Sequence, residues 1–329
     1  MSKSVNWTRN SATDEITIYL GIPILVIGVL GGILNIIVFM SLKTFRQNSC
    51  AFFLTIMSFV NIGQLLLSLF SRIMIIGFNA DWTDSSLIFC KFRYYCLQVC
   101  AVTSYTCMCL ATIDQFLATS LHVYWQQFIN IKKAYGLCVF FFIIWLLHGI
   151  PSLIWYNLDL SSTTGKLTCT ITNPVFNSYI AYVYLLMLTG VLPICITVLF
   201  GCLAYWNVRQ IPYRTVPLVR RELDKQLTSM VLVQVVFNCF IILPYIICLF
   251  LIDILDPNSA LINISDLNFA QDISIILYYL YFASSFYIYT CVSKRFRQQL
   301  MYVLINIYHK TWKYHANAMN QVLPEGEEQ

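Results

Sequence analysis

Residues Cys90 to Ser120 read CKFRYYCLQVCAVTSYTCMCLATIDQFLATS, and this stretch decides the fold. It opens with a cysteine, carries no charge from Tyr94 to Ile113, and ends on a carboxylate followed by an amide, in Thr112-Ile113-Asp114-Gln115-Phe116. At about 1.5 Å per residue, a helix from Cys90 to Asp114 would be roughly 36 Å long. The hydrocarbon core of a bilayer is about 30 Å thick, so this helix crosses it with a small overhang. One end is then oxidised and the other faces the cytosol.

The rest of the composition agrees. The chain has 329 residues, of which 59% are hydrophobic and 11% charged, and its mean hydropathy is +0.71. A soluble protein of this length needs far more polar surface, so the chain reads as a membrane protein. Its net charge of +5 is small and its basic residues are scattered among apolar runs, which argues against a nucleic-acid partner. Residues 1–15 are polar and lack an apolar core, so no cleavable signal is expected; the first apolar run is long enough to insert and stay.

Uncharged runs recur at Ile16 to Leu42, Gln47 to Ser71, Tyr94 to Ile113, Ala134 to Leu158, Tyr179 to Val208, Gln226 to Ile252 and Ile273 to Ser293. Each is about as long as a spanning helix requires. Seven spans put the termini on opposite sides, and an N-terminus outside places fourteen of the 20 Lys and Arg residues on the cytoplasmic side. The reading is an all-α membrane protein, a seven-transmembrane helix bundle, multi-pass in the plasma membrane with its N-terminus extracellular. Its segments are an extracellular leader at 1–15 and a receptor-like bundle at 16–292. An amphipathic surface helix follows at 293–308, then a disordered cytoplasmic tail at 309–329.

Between spans four and five, Thr163 to Lys166 is turn-like, and the alternating Lys166 to Thr172 suggests a small hairpin. Asn6-Trp7-Thr8 is a glycosylation sequon that an outside N-terminus makes usable. Thirteen cysteines cannot all pair, and most lie within apolar runs, where thiols behave as small hydrophobes. Cys90 and Cys169 sit among loop-like residues on one side of the membrane; they are the disulfide expected.

Seven helices, the N-terminus out and this pair of cysteines resemble the rhodopsin-like (class A, family 1) G-protein-coupled receptors. Gly31 to Asn35 matches the family's first-helix motif, with Asn35 as its polar anchor. Trp82, Trp145, Pro193 and Pro244 fall at its landmark positions, and Phe296-Arg297, soon after Tyr289, resembles the start of its helix eight. The chain diverges at the family's switch positions. The third helix carries Asp114-Gln115-Phe116 where the family has an acid, an arginine and an aromatic. Asn61 replaces the sodium-binding aspartate, Asn238 and Ile242 replace aromatics before Pro244, and Gly201 replaces a tyrosine. Ser285-Phe-Tyr-Ile-Tyr289 lacks the family's proline, which predicts a straighter seventh helix.

The resemblance implies a receptor for an extracellular ligand that signals to a heterotrimeric G protein, with Gln115 putting the coupling in question. The alternative is a receptor-shaped decoy, partner subunit or scaffold that does not couple. Candidate ligand contacts are Arg72, Tyr95, Gln98, His148, Tyr182, Asp272, Tyr278 and Tyr281. The family's amine-binding position holds Leu97, and Arg72 with the hairpin leans towards a peptide such as a neuropeptide, one carrying a carboxylate. Candidate switch residues are Asn35, Asn61, Asp114, Gln115, Phe116, Pro193, Asp224, Pro244 and Tyr289. Each has a plainer reading: Asp114 as an interfacial cap, Asn35 and Asn61 as helix-packing glue, the prolines as ordinary kinks, the tyrosines as interface anchors. No catalytic, metal-ligating or cofactor motif occurs, so neither an enzyme nor a cofactor is expected.

Overall fold

The computed structural model describes residues 11–78, 85–120, 123–126, 128, 130–160, 167–210, 218–254 and 264–306. The sequon at Asn6, Trp82, the turn at Thr163 to Lys166, the side chain of Asp224 and the tail beyond residue 306 lie outside the described residues. The elements in chain order are α1 (Ser11–Ser41), α2 (Ser49–Gly77), α3 (Leu87–Thr119) and α4 (Ile131–Trp155). There follow β1 (Tyr156–Leu160), β2 (Leu167–Ile171), α5 (Pro174–Gln210) and α6 (Leu218–Ile254). Last come α7, in two arms (Ile264–Ala283 and Ser285–Val292), and α8 at residues 294–306. Six of these helices are long and apolar enough to cross a bilayer, and the bent pair makes a seventh.

Side-chain caps set several of the starts. Asn48 accepts from the Ala51 amide, Ser86 from Phe89, Asn130 from Lys133, and Asn173 from both Val175 and Phe176, ahead of Pro174 at the first helical position. Each satisfies an amide that the helix itself leaves without a partner. The most apolar window of α3 is 72% buried against 11% for α4, so α3 is the axis and α4 a lipid-facing outer helix. Accordingly α4 exposes Phe140, Ile143, Leu147 and Ile150.

Two stretches of α2, Leu65–Leu69 and Ile73–Gly77, and one of α5, Tyr179–Val191, are π-wound. The wider winding shifts the side chains that follow relative to an α-helix.

Three local expectations change. The helix of α1 begins at Ser11, inside the expected leader. The fourth span stops at Trp155, and Tyr156 to Leu158 belong to β1, which pairs antiparallel with β2 in the register Tyr156 with Ile171 and Leu158 with Cys169. The seventh helix is not straight: its arms meet at 55°. Ser284 and Ser285 stand at the break, and Ser285 Oγ accepts from Asn35 Nδ2 of α1. Serines at a helix break engage polar groups outside the ladder and bend the helix without a proline.

The core divides by depth. Towards the Asp114 end, Phe39, Phe53, Met57, Leu227, Tyr289 and Phe296 pack together; in the other half, Leu65, Leu69, Tyr105, Ile242, Tyr281 and Phe282 do so. α8 joins the first group through Phe296 and exposes Met301, Tyr302 and Ile305, the makeup of a helix lying along a membrane surface.

Candidate functional site

At the Cys90 end, Cys90 and Cys169 are bonded, with Cα atoms 5.9 Å apart, and fasten β2 to the first turn of α3. Cys90 is fully buried beside Tyr156 and Phe176, and Tyr156 stacks on Tyr94 at 4.0 Å. Burial pushes the Tyr156 phenol above its usual range, so it stays neutral at physiological pH. The two strands are thus fastened to the Cys90 end of α3.

Arg72 of α2 and Asp272 of α7 form an ion pair at 2.7 Å, only partly exposed, and the Arg72 Nε is buried without a partner. The guanidinium therefore keeps a donor that Asp272 does not use. Gln98 of α3 binds His148 Nδ1 at 3.1 Å and accepts from Ser152 Oγ, both on α4, while His148 Nε2 meets the Tyr179 hydroxyl of α5. Tyr95 donates to the Leu146 carbonyl. These polar side chains satisfy one another across α3, α4 and α5. Tyr278 lies against Tyr245 and Phe282, and Tyr182 is half exposed on α5.

In the middle of the bundle, Asn35 Nδ2 donates to Ser58 Oγ of α2 and to Ser285 Oγ of α7. Asn61 accepts from Ser104 Oγ of α3 at 2.5 Å, and Ser104 also reaches the Tyr281 hydroxyl at 3.3 Å. Tyr281 is 1% exposed, a deeply buried contact between α7 and α3. Among the described residues no carboxylate enters this cluster. The pull that Asp would exert on a desolvated cation is missing from Asn61.

At the Asp114 end, Asp114 is 4% exposed and accepts from Ser49 Oγ of α2 at 2.7 Å. It is an interhelical contact, deeper than an interfacial cap. Gln115, 1% exposed, accepts from Thr228 Oγ1 of α6 at 2.8 Å. Phe116 packs on Phe200 of α5, and its carbonyl faces Asn207 Nδ2. The base of α6 has a second tie: Gln226 Oε1 accepts from Ser293 Oγ and from the Arg295 amide at the α7–α8 junction. Tyr289 is fully buried against Phe39 and Phe296.

Of the prolines, Pro193 follows the π-wound part of α5 and takes the Thr197 hydroxyl on its carbonyl; Pro244 lies inside α6. At Gly201, an added Cβ would stand 3.3 Å from Leu232 Cδ2, so α5 and α6 approach closely where the family has a tyrosine.

The chain matches the model of the seven-transmembrane receptor family of the rhodopsin type over residues 31–294. It belongs to that family. No curated protein matches the sequence. The receptor's ion pair between Arg72 and Asp272, its central amide cluster and its ties at the Asp114 end occupy one bundle around α3, and the family is one of receptors, not of enzymes.

Sequence reasoning did not identify Ser152, Tyr179, Ser104, Ser49, Thr228, Gln226 or Ser293, the partners that give the candidate residues their geometry. Serine and threonine in a spanning helix usually satisfy their own backbone, as Thr112 does on the Met108 carbonyl. Which of them reach across helices is decided by rotation about the helix axis, and that is not written in local spacing.

Proposed function

We propose that the receptor binds an extracellular peptide at the Cys90 end and signals to a heterotrimeric G protein at the Asp114 end, by releasing α6 from α3. The N-terminus, glycosylated at Asn6, is extracellular and the receptor resides in the plasma membrane. The observation that carries this reading is the hydrogen bond from Thr228 to Gln115. With the ties of Gln226 to Ser293 and Arg295, it joins α6 to its neighbours through neutral hydrogen bonds that can separate. Each neutral hydrogen bond contributes about 1 kcal/mol net. Differential ligand affinity of a few kcal/mol suffices to shift such an equilibrium.

For the ligand, Arg72 offers a guanidinium already turned to a carboxylate, that of Asp272. A carboxylate on the peptide takes the donor that Asp272 leaves over, or displaces Asp272 from Arg72, and the two residues together discriminate against a cationic amine. The test is a screen of peptides on cells expressing the receptor, each supplied with a free and an amidated C-terminus. The reading expects a response that is lost on amidation or in Arg72→Gln; a response to monoamines alone contradicts it.

A second reading is a receptor-shaped protein that does not couple to G proteins, favoured by Gln115 in place of the arginine. Nucleotide exchange on added G protein in purified membranes separates the two.

A further inference from the structure

Arg93 stands on the second turn of α3, three residues beyond Cys90 and next to the uncharged run that starts at Tyr94. It is 8% exposed, and its Nε is buried without a hydrogen-bond partner. Among the described residues no carboxylate pairs with it: Asp272 is taken by Arg72, and Asp159 Oδ1 accepts from the Leu160 amide. A guanidinium stays protonated throughout the pH range of proteins, so it cannot shed its charge to escape burial. A buried charge without a counter-charge is among the costliest arrangements a fold can hold.

The surroundings of Arg93 offset that cost only in part. Its guanidinium carbon lies 5.2 Å from the centre of the Tyr94 ring, within cation–π range, and Tyr94 is stacked in turn on Tyr156. The Tyr156 hydroxyl lies within electrostatic reach of Arg93 and makes no hydrogen bond to a described residue. An N–H donor on α3 and a neutral O–H donor on β1 are thus neighbours, and neither has an acceptor among the described residues.

Such a pair of donors fits an anion. The little exposure left at Arg93 disfavours a bulky one, and a large monatomic ion of single charge loses less on leaving water than a phosphate does. We propose that Arg93 and Tyr156 form a binding site for a small inorganic anion, chloride in extracellular fluid, which ties the head of α3 to β1 beside the Cys90–Cys169 bridge. The site is separate from Arg72 and Asp272. It takes the Cys90 end as the outer one, as the proposed function does, and it does not depend on what the ligand is.

The test uses the full-length receptor in phosphatidylcholine nanodiscs, whose two faces are both open to the buffer, with the thermal midpoint as the readout. Sodium chloride replaces sodium gluconate at constant sodium and constant ionic strength. The wild-type midpoint is expected to rise by a few degrees along a saturating curve, and sodium bromide is expected to do the same. Arg93→Gln should lose the chloride response and, relieved of a buried unpaired charge, melt in gluconate no lower than wild type. Tyr156→Phe, which keeps the ring on Tyr94, should weaken the apparent chloride affinity about tenfold. Equal wild-type midpoints in chloride and gluconate, a full chloride response in Arg93→Gln, Arg93→Gln melting equally below wild type in both salts, or an unchanged affinity in Tyr156→Phe overturns the proposal. The nanodisc result is the same whichever face lies outside the cell, so failure here leaves the proposed topology and ligand untouched.

Discussion

Gln115 Oε1 accepts a 2.8 Å hydrogen bond from Thr228 Oγ1, and so joins α3 to α6 without a charge. Both residues are buried. The rhodopsin-like family commonly has an arginine at this place in α3 and an acid at the base of α6; the Gln115–Thr228 hydrogen bond is a weaker link than such an ion pair. A neutral hydrogen bond contributes about 1 kcal/mol net, and one to a charged group about 1.5–3 kcal/mol.

Restoring the cation therefore lowers ligand-free signalling. Gln115→Arg restores the arginine that the family commonly has at this place and is expected to cut basal second-messenger output about fivefold, which corresponds to about 1 kcal/mol in the closed state's favour. Output that equals or exceeds wild type, at matched surface expression, would count against a weak closed state.

Opening the Cys90–Cys169 bridge loosens the hairpin. Removing a native disulfide typically costs about 2–5 kcal/mol. Cys169→Ser is expected to reduce the ratio of surface to total receptor severalfold in antibody labelling of intact and permeabilised cells. An unaltered ratio would show that packing of Tyr156 on Tyr94 suffices to hold the loop.

Sodium should leave the receptor indifferent, because Asn61 brings no charge to the central cluster. Wild type is expected to melt at the same temperature in sodium chloride as in choline chloride. Asn61→Asp should melt higher in sodium, since the carboxylate adds the Coulombic attraction the amide lacks. A sodium-dependent midpoint in wild type would be the contrary result.

Small residues set the helix spacing at one contact and not at another. A Cβ on Gly28 would fall 2.8 Å from the Ala283 Cβ, whereas one on Gly136 meets nothing within 4 Å. Gly28→Val should destabilise by about 1–3 kcal/mol through overpacking. Gly136→Ala should stabilise by up to about 1 kcal/mol through helix propensity. Thermal midpoints moving in the same direction would contradict this packing.

Much of the architecture was legible because a bilayer imposes it. Runs such as Gln226 to Ile252 must be helical, since no other single segment satisfies its own backbone in hydrocarbon. The bend at Ser284 was not legible: the missing proline argued for a straight helix, while the cause of the bend is a serine whose partner, Asn35, lies on α1. The end of α4 was misplaced for a similar reason. Tyr156 to Leu158 are uncharged like the helix before them, so nothing ended the run there, and their strand exists only through its pairing with β2. At the candidate site, Gln115 and Asp114 stood out by type, but Thr228 and Ser49 did not, because a hydroxyl becomes an interhelical donor only once the neighbouring helix is placed.

The most direct measurement is guanine-nucleotide exchange on a panel of added heterotrimeric G proteins in purified membranes, comparing wild type with Thr228→Val at equal receptor density and without ligand. The substitution removes the hydroxyl that Gln115 accepts and keeps the side chain's shape. The account predicts measurable exchange by wild type on at least one G protein, and about fivefold faster exchange by Thr228→Val. Exchange at the receptor-free background for both proteins across the panel would contradict it.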